Sequence, residues 1–113
     1  MQVKRKKRSF IVGKNKKIKI TEKAIIKLSN NEQITFLNQN DEYDVVKKNW
    51  GYYCTPSINN RLKVNNFRSF IVSNKKKNIF FMIANKKKIN MFKKYLKSEE
   101  NKILIELTDG FEN

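Results

Sequence analysis

Histidine is absent from this chain of 113 residues, and cysteine and proline each occur once. Without histidine, the Ser–His and Cys–His pairs that activate nucleophiles in many hydrolases are excluded. Histidine and cysteine are also the usual ligands of structural zinc, and Cys54 alone cannot hold that metal. A single cysteine cannot form a disulfide within the chain, which is typical of a reducing compartment. We therefore expect a cytoplasmic protein without a metal site.

Long apolar runs are missing as well. No run reaches 18 residues, so no membrane span is predicted, and the basic N-terminus lacks the apolar region of a secretory signal. Asp41, Glu42 and Asp44 are clustered, but they lack the glycine and closing glutamate of a calcium loop. The remaining acid–base residue types show no convergent pair. We predict a protein that is not an enzyme, with no cofactor and no small-molecule substrate.

Acidic residues are scarce. The chain has 26 Lys and Arg against 10 Asp and Glu, which gives a formal charge of +16. A small domain this basic is a candidate for binding nucleic acid or another polyanion. Codon bias offers a second explanation, because Lys, Asn and Ile have A/T-rich codons and make up 51 of the 113 residues. The sequence leaves both explanations open.

The basic residues are concentrated at the start of the chain. Nine of them, and no acid, lie within the first 20 residues. Residues 1–8 are predicted to form a flexible arm, because like charges repel and nothing in this segment is suited to burial. Such an arm can contact phosphates by releasing counterions. Its candidate contacts are Lys4, Arg5, Lys6, Lys7 and Arg8.

The apolar patterning predicts one α+β domain covering residues 1–113. Residues 9–37 read as two hairpins, the first turning through "GKNKK" and the second through Ser29–Glu32. Residues 43–107 read as β-α-β-β-α-β, which is the ferredoxin-like order with a four-stranded sheet and two helices on one face. Its first strand is "YDVVKKNWGYYC", and its second helix places Ile89, Phe92 and Leu96 on one stripe.

One face of that predicted sheet is left open. The strand "IFFMIA", residues 79–84, is apolar on both of its faces, and the two helices can cover only one of them. Phe80 and Met82 are therefore candidates for an apolar face that docks a partner. Alternatively, the N-terminal hairpins cover this face with Phe10, Ile25 and Phe36.

The order of elements predicted for residues 43–107 is similar to that of the RNA-recognition domain, which stacks bases on aromatic side chains of its open sheet face. In "KNIFFMIA", Lys77 and Phe81 fit the pattern of that domain, whereas Asn78 and Ile79 do not. The resemblance is one of topology alone, and it identifies no family.

The stretch "NWGYYCTPSINNRL", residues 49–62, holds the only Trp, Cys and Pro of the chain. Thr55 and Pro56 are typical of a helix start, where free N–H groups attract anions. The stretch is thus either the joint between a strand and a helix or an anion site. The candidate anion-binding residues here are Lys47, Lys48, Tyr52, Tyr53, Thr55, Ser57, Asn60 and Arg61.

These patterns predict a small binding module without catalytic activity that contacts nucleic acid, RNA before DNA, mainly through phosphates. The alternative is an accessory subunit that docks a protein partner, or a second copy of itself, through the apolar sheet face. The basic charge would then reflect codon bias.

Overall fold

Short strands joined by tight turns make up most of the computed structural model, which describes residues 1–4, 8–14 and 17–109. The described residues form ten strands, two α-helices and one 3-10 helix. The strands fall into two pairs and two three-stranded sheets, and every pairing is antiparallel. The coarse prediction of a small α+β fold is confirmed, with β-structure the larger part.

Four short strands form the N-terminal region. They are β1 (Gln2–Lys4), β2 (Ser9–Val12), β3 (Ile18–Thr21) and β4 (Ile25–Lys27). The first predicted hairpin is confirmed, since β2 pairs with β3 from Ser9↔Thr21 to Val12↔Ile18. β1 pairs with β4, so the prediction of a flexible arm is wrong for Gln2–Lys4. The second predicted hairpin is also wrong, because β4 pairs with β1 and not with residues 33–37.

The first three-stranded sheet is a meander of β5 (Gln33–Asn38), β6 (Asp41–Lys48) and β7 (Gly51–Cys54). The segment predicted as one long strand is therefore a hairpin that turns at residues 49–50. Gly51 explains the turn, because its φ of +144° lies in a region that side chains with a Cβ rarely adopt. Gly51 thus begins a new strand.

The second sheet has the order β10-β8-β9. Along the chain, α1 (Arg61–Val64) precedes β8 (Phe67–Ser73) and β9 (Ile79–Asn85). After β9 come a 3-10 turn (Lys86–Lys88), α2 (Ile89–Ser98) and β10 (Lys102–Glu106). The ferredoxin-like arrangement is not confirmed, because β6 pairs with β5 and β7 in a separate sheet and does not join β8, β9 and β10. The topological resemblance to the RNA-recognition domain loses its basis with it.

The main core lies between α2 and this second sheet. Phe70, Val72, Ala84, Ile89 and Leu96 are buried together, with Met82, Phe92 and Ile103 packed against them. The rings of Phe70 and Phe92 lie 5.0 Å apart between centroids. The apolar stripe predicted for residues 89–96 is confirmed as the face of α2 that meets the sheet.

Candidate functional site

One face of the β5-β6-β7 sheet carries a group of aromatic side chains. In an antiparallel sheet, directly paired residues share a face and alternate residues along a strand return to it. The pairs Phe36↔Tyr43, Ile34↔Val45, Val45↔Cys54 and Lys47↔Tyr52 therefore define one surface. We call it the aromatic face; its members are Ile34, Phe36, Tyr43, Val45, Lys47, Tyr52 and Cys54.

The aromatic face is open to solvent at its two outer strands. Phe36 on β5 is 56% exposed and Tyr52 on β7 is 60% exposed. The Lys47 ammonium lies 5.5 Å from the centre of the Tyr52 ring, within the range of a cation–π contact. A cation and two exposed rings on a rigid strand framework make a surface suited to planar, negatively charged ligands.

Tyr43 lies between these outer residues on the central strand and is half-buried. Burial raises the pKa of its phenol, and the neighbouring Cys54 thiol raises it further. The phenol therefore stays protonated and uncharged at neutral pH. From the sequence, Tyr43 was missed as a functional residue, and Phe36 was considered only as a residue that covers the apolar sheet face. The signal that could have found both is the two-residue alternation on either side of the turn at Gln39–Asn40, which places them on one face.

The opposite face of the same sheet is organised around a buried carboxylate. Asp44 is only 1% exposed. Its Oδ2 accepts a hydrogen bond from the Thr55 hydroxyl at 3.1 Å and another from the Arg61 guanidinium. Arg61 also donates to the Thr55 hydroxyl at 3.0 Å, which closes a triangle of three side chains. The Asp44 carbonyl accepts from the Thr55 N–H at 3.0 Å, which fixes the backbone beneath it.

Two opposing effects act on Asp44. Burial raises the pKa of its carboxyl group, but hydrogen bonding by Thr35, Arg61 and Thr55, with the charge of Arg61, outweighs burial and holds the pKa below its ordinary value. The carboxylate is thus charged at neutral pH. Its Oδ1 is buried and makes no hydrogen bond within the described part of the chain.

The predicted helix start at Thr55 is wrong. The helix α1 begins at Arg61, its N-cap is Asn60, and the Asn60 side chain makes no capping hydrogen bond. Thr55 lies six residues before Arg61, too far to cap the helix, and its hydroxyl is bound to Asp44. Ser57 instead accepts the Arg61 N–H at 3.1 Å. The structure thus brings Thr55 and Arg61 to Asp44, where Arg61 is used in an internal ion pair, and places Ser57 and Asn60 at the start of α1.

The other predicted anion-site residues are divided between the two faces. Lys47 and Tyr52 lie on the aromatic face, whereas Lys48 and Tyr53 point to the opposite side of the sheet. Lys48 donates to the Asn31 side chain at 2.6 Å, and the ring of Tyr53 stacks with Trp50 at 6.2 Å. The eight predicted residues therefore do not form one compact site.

The predicted basic arm is partly held in place. Lys4 belongs to β1, and Arg8 makes a two-pronged ion pair with Glu22, with both N–O distances at 2.7 Å. Arg5, Lys6 and Lys7 lie outside the described residues.

The predicted apolar partner face is also placed differently. Phe80 pairs with Val72, and Met82 pairs with Phe70, so both lie on the side of the sheet that α2 covers. The other side carries the alternate residues of β8, β9 and β10. Phe67 and Ser69 of β8 are buried there, whereas Ile79 and Phe81 of β9 and Ile105 of β10 are exposed, so this side is uncovered at one end. The assignment of Phe80 and Met82 to the open face is wrong by one residue of register.

Neither described α-helix is long and apolar enough to cross a membrane. Within residues 1–4, 8–14 and 17–109, no three potential His, Cys, Asp or Glu ligands are grouped so that they could hold a metal ion. In comparisons with protein-family models, curated proteins and solved structures, no match to this chain was found.

Proposed function

We propose that this protein is a small binding module without catalytic activity that contacts single-stranded nucleic acid, RNA before DNA. The observation that supports this most directly is the aromatic face, where the exposed rings of Phe36 and Tyr52 lie on either side of the central strand with Lys47 beside Tyr52. Exposed aromatic rings bind unpaired bases by stacking, and a positively charged groove follows the phosphates.

The spacing of the two rings favours a strand over a single base. Phe36 and Tyr52 are on the two outer strands, which are about 10 Å apart across the sheet. Their partners on β6, Tyr43 and Lys47, are four residues apart, which adds about 13 Å along the strand direction. Each ring therefore contacts a different nucleotide. Bases in a duplex are stacked on each other and cannot reach such rings, and unpaired, accessible bases are a common feature of folded RNA.

The charge of the chain supports the same proposal. With a formal charge of +16, the protein attracts any polyanion, and most of its affinity comes from phosphate contacts that weaken as salt rises. Lysine outnumbers arginine 22 to 4, so bidentate recognition of bases is a small part of the binding. We expect weak sequence preference and a clear preference for unpaired strands.

Fluorescence anisotropy with labelled oligonucleotides tests this proposal. Single-stranded RNA, duplex RNA, single-stranded DNA and duplex DNA are titrated at about 50 and 200 mM salt. We expect Tyr52→Ala to weaken binding of single strands by about 5- to 150-fold, since stacking on one ring contributes about 1–3 kcal/mol per base. Tyr53→Ala is the matched control, because Tyr53 is the neighbouring tyrosine, is also exposed and lies on the opposite face.

Equal effects of Tyr52→Ala and Tyr53→Ala would contradict the stacking proposal. If all four nucleic acids bind equally and the binding disappears at the higher salt, the protein binds them by non-specific electrostatic attraction and has no defined nucleic-acid site.

The basic residues at positions 5–7 need a separate test. Deleting residues 1–8 would also remove β1 and the ion pair of Arg8 with Glu22, so the loss of structure would be confused with the loss of charge. Replacing Arg5, Lys6 and Lys7 by glutamine avoids this. If all three contact phosphates, the slope of log K against log salt for single strands decreases by about 2. An unchanged slope would exclude these residues from the interface.

A protein partner is the second candidate, and the uncovered side of the β10-β8-β9 sheet favours it. Ile79 and Phe81 of β9 and Ile105 of β10 are exposed there together. A partner chain or a second copy could cover them. Sedimentation equilibrium of the wild type and of Phe81→Lys tests self-association: a wild-type dimer that dissociates in the variant supports this candidate, and a wild-type monomer at all concentrations excludes a homodimer.

A further inference from the structure

A second surface of the molecule is concave and lies away from the aromatic face. A cleft of about 810 Å³ is bordered by Val12, Gly13 and Lys14 at the end of β2, by the turn between β8 and β9, and by the C-terminal part of α2. This volume is in the range of small-ligand pockets, about 300–1,000 Å³. Of the described residues assigned to binding from the sequence, Phe80 and Met82 are the ones that line it.

The apolar part of the cleft consists of Phe80, Met82 and Tyr95. Phe80 and Met82 extend from β9 beside the main core, and Tyr95 extends from α2. Phe80 and Tyr95 remain exposed although they face a well-packed region. Two aromatic rings and a flexible thioether make a surface that suits a flat ring system.

Amide side chains border this apolar part. Asn78 and Asn101 both line the cleft, and neither side-chain amide makes a hydrogen bond within the described residues. Asn101 is half-buried, so its amide is partly removed from water without a partner. A ligand with hydrogen-bonding edges would satisfy these amides, whereas an acyl chain would leave them unpaired at a cost. The lining therefore favours a heteroaromatic ligand over a lipid tail.

Lysines form one rim of the cleft. Lys14, Lys75 and Lys76 line it, and the first two share the carboxylate of Glu100, with N–O distances of 2.5 and 3.3 Å. The Glu99 carboxylate, which accepts the Lys14 N–H at 2.6 Å, also faces the cleft. The glutamates hold Lys14 beside the end of α2, and Lys76 has no ion pair among the described residues. With three lysines against two glutamates, the rim carries a net charge of one positive unit next to an apolar floor with amides.

We infer that this cleft binds a nucleotide, with the base against Phe80, Met82 and Tyr95 and the phosphate at the lysine rim. The amides of Asn78 and Asn101 contact the edges of the base. The nucleotide is either a free nucleoside monophosphate or the 5′-phosphorylated end of a strand, since both present the same ring and phosphate. This site is separate from the aromatic face and does not depend on it.

Isothermal titration calorimetry on the full chain provides the test, with AMP, CMP, adenosine, inorganic phosphate and decanoate as probes. We expect each nucleotide to bind at least about tenfold more tightly than adenosine or inorganic phosphate, because the base and the phosphate act together. Tyr95→Ala weakens nucleotide binding by at least about fivefold through lost stacking. Tyr53→Ala leaves it unchanged, because Tyr53 lies outside both the cleft and the aromatic face.

Charge substitutions at the rim refine the test. Lys76→Gln weakens the nucleotide but not adenosine, whereas Lys87→Gln, at the opposite end of β9, changes neither. Glu100→Gln increases nucleotide affinity, because it removes the carboxylate that neutralises Lys14 and Lys75. If a 5′-phosphorylated oligonucleotide binds, if Tyr95→Ala weakens that binding, and if free AMP does not bind, the ligand of the cleft is the phosphorylated end of a strand. Tighter binding of decanoate than of AMP, or no binding of either nucleotide form, would overturn the inference.

Discussion

Replacing Arg61 by methionine tests the triangle of Asp44, Thr55 and Arg61. Methionine keeps much of the aliphatic length but removes the hydrogen bonds from Arg61 to the other two side chains. Asp44 then keeps the Thr55 hydroxyl as its hydrogen-bonding partner from this triangle and remains a buried carboxylate. Breaking a fully buried ion pair costs about 3–5 kcal/mol, and an exposed one about 0–1 kcal/mol.

The magnitude follows from the unequal burial of the two partners. The Asp44 side chain is 2% exposed, whereas the Arg61 side chain is 40% exposed, so solvent screens one partner and not the other. We expect a loss of about 2–3 kcal/mol in the free energy of unfolding, between the two limits. For a chain of this length the loss corresponds to a decrease in Tm of about 8–13 °C.

Urea denaturation followed by far-UV circular dichroism measures this loss, and Arg8→Met is the matched control. Arg8 makes a two-pronged ion pair with Glu22, but its side chain is 55% exposed, so its replacement is expected to cost less than about 1 kcal/mol. Equal losses for the two variants would refute the reasoning that burial of Asp44 makes its pair strong. The double variant Asp44→Asn with Arg61→Met completes a cycle that isolates their coupling.

Three further predictions concern acid stability, the core and the tryptophan. Because the folded-state pKa of Asp44 is lowered, the charged carboxylate contributes its full stabilisation above about pH 4 and loses it as the pH falls through the folded-state pKa. In urea denaturation at a series of pH values, the free energy of unfolding should therefore fall less steeply in acid for Asp44→Asn than for the wild type. Phe70→Ala, in the buried core, should cost about 3–5 kcal/mol in thermal unfolding, whereas Phe81→Ala, on the uncovered side, should cost less than about 1 kcal/mol; equal costs would contradict the assignment of the two faces. Acrylamide should quench Trp50 fluorescence in the folded protein nearly as strongly as in the unfolded chain, and protection from quenching would mean that its surroundings are covered.

Periodic patterns in the sequence predicted the second half of the chain best. Ile89, Phe92 and Leu96 repeat at helical spacing, and the structure shows them on the inner face of α2. The β8–β9 hairpin was also predicted, because "NKKKN" separates two apolar runs. These signals are local, and a local pattern suffices when the partner of an element is its neighbour in the chain.

Long-range pairing was not predictable in the same way. β1 and β4 are three residues each, too short for a periodic signal, and each pairs with a strand more than 20 residues away. In "IFFMIA" every position is apolar, so alternation could not decide whether Phe80 or Phe81 faces α2. The burial of Asp44 was not predictable from the acidic cluster at residues 41–44, because it depends on Arg61, 17 residues later.

The contacts between the N-terminal hairpin and α2 have a consequence for synthesis of the protein. Lys14 binds Glu99 and Glu100 across 85 and 86 residues, whereas β2 and β3 are nearest neighbours in the chain. At about 5–20 residues per second, the hairpin waits about 4–17 s on the ribosome for those glutamates to be made. It can close early as a local element, but it docks only after α2 has formed. The strand β9 is made before α2, so Phe80 and Met82 are uncovered from their synthesis until α2 packs against the sheet, and in this shorter interval the nascent chain is most prone to aggregate.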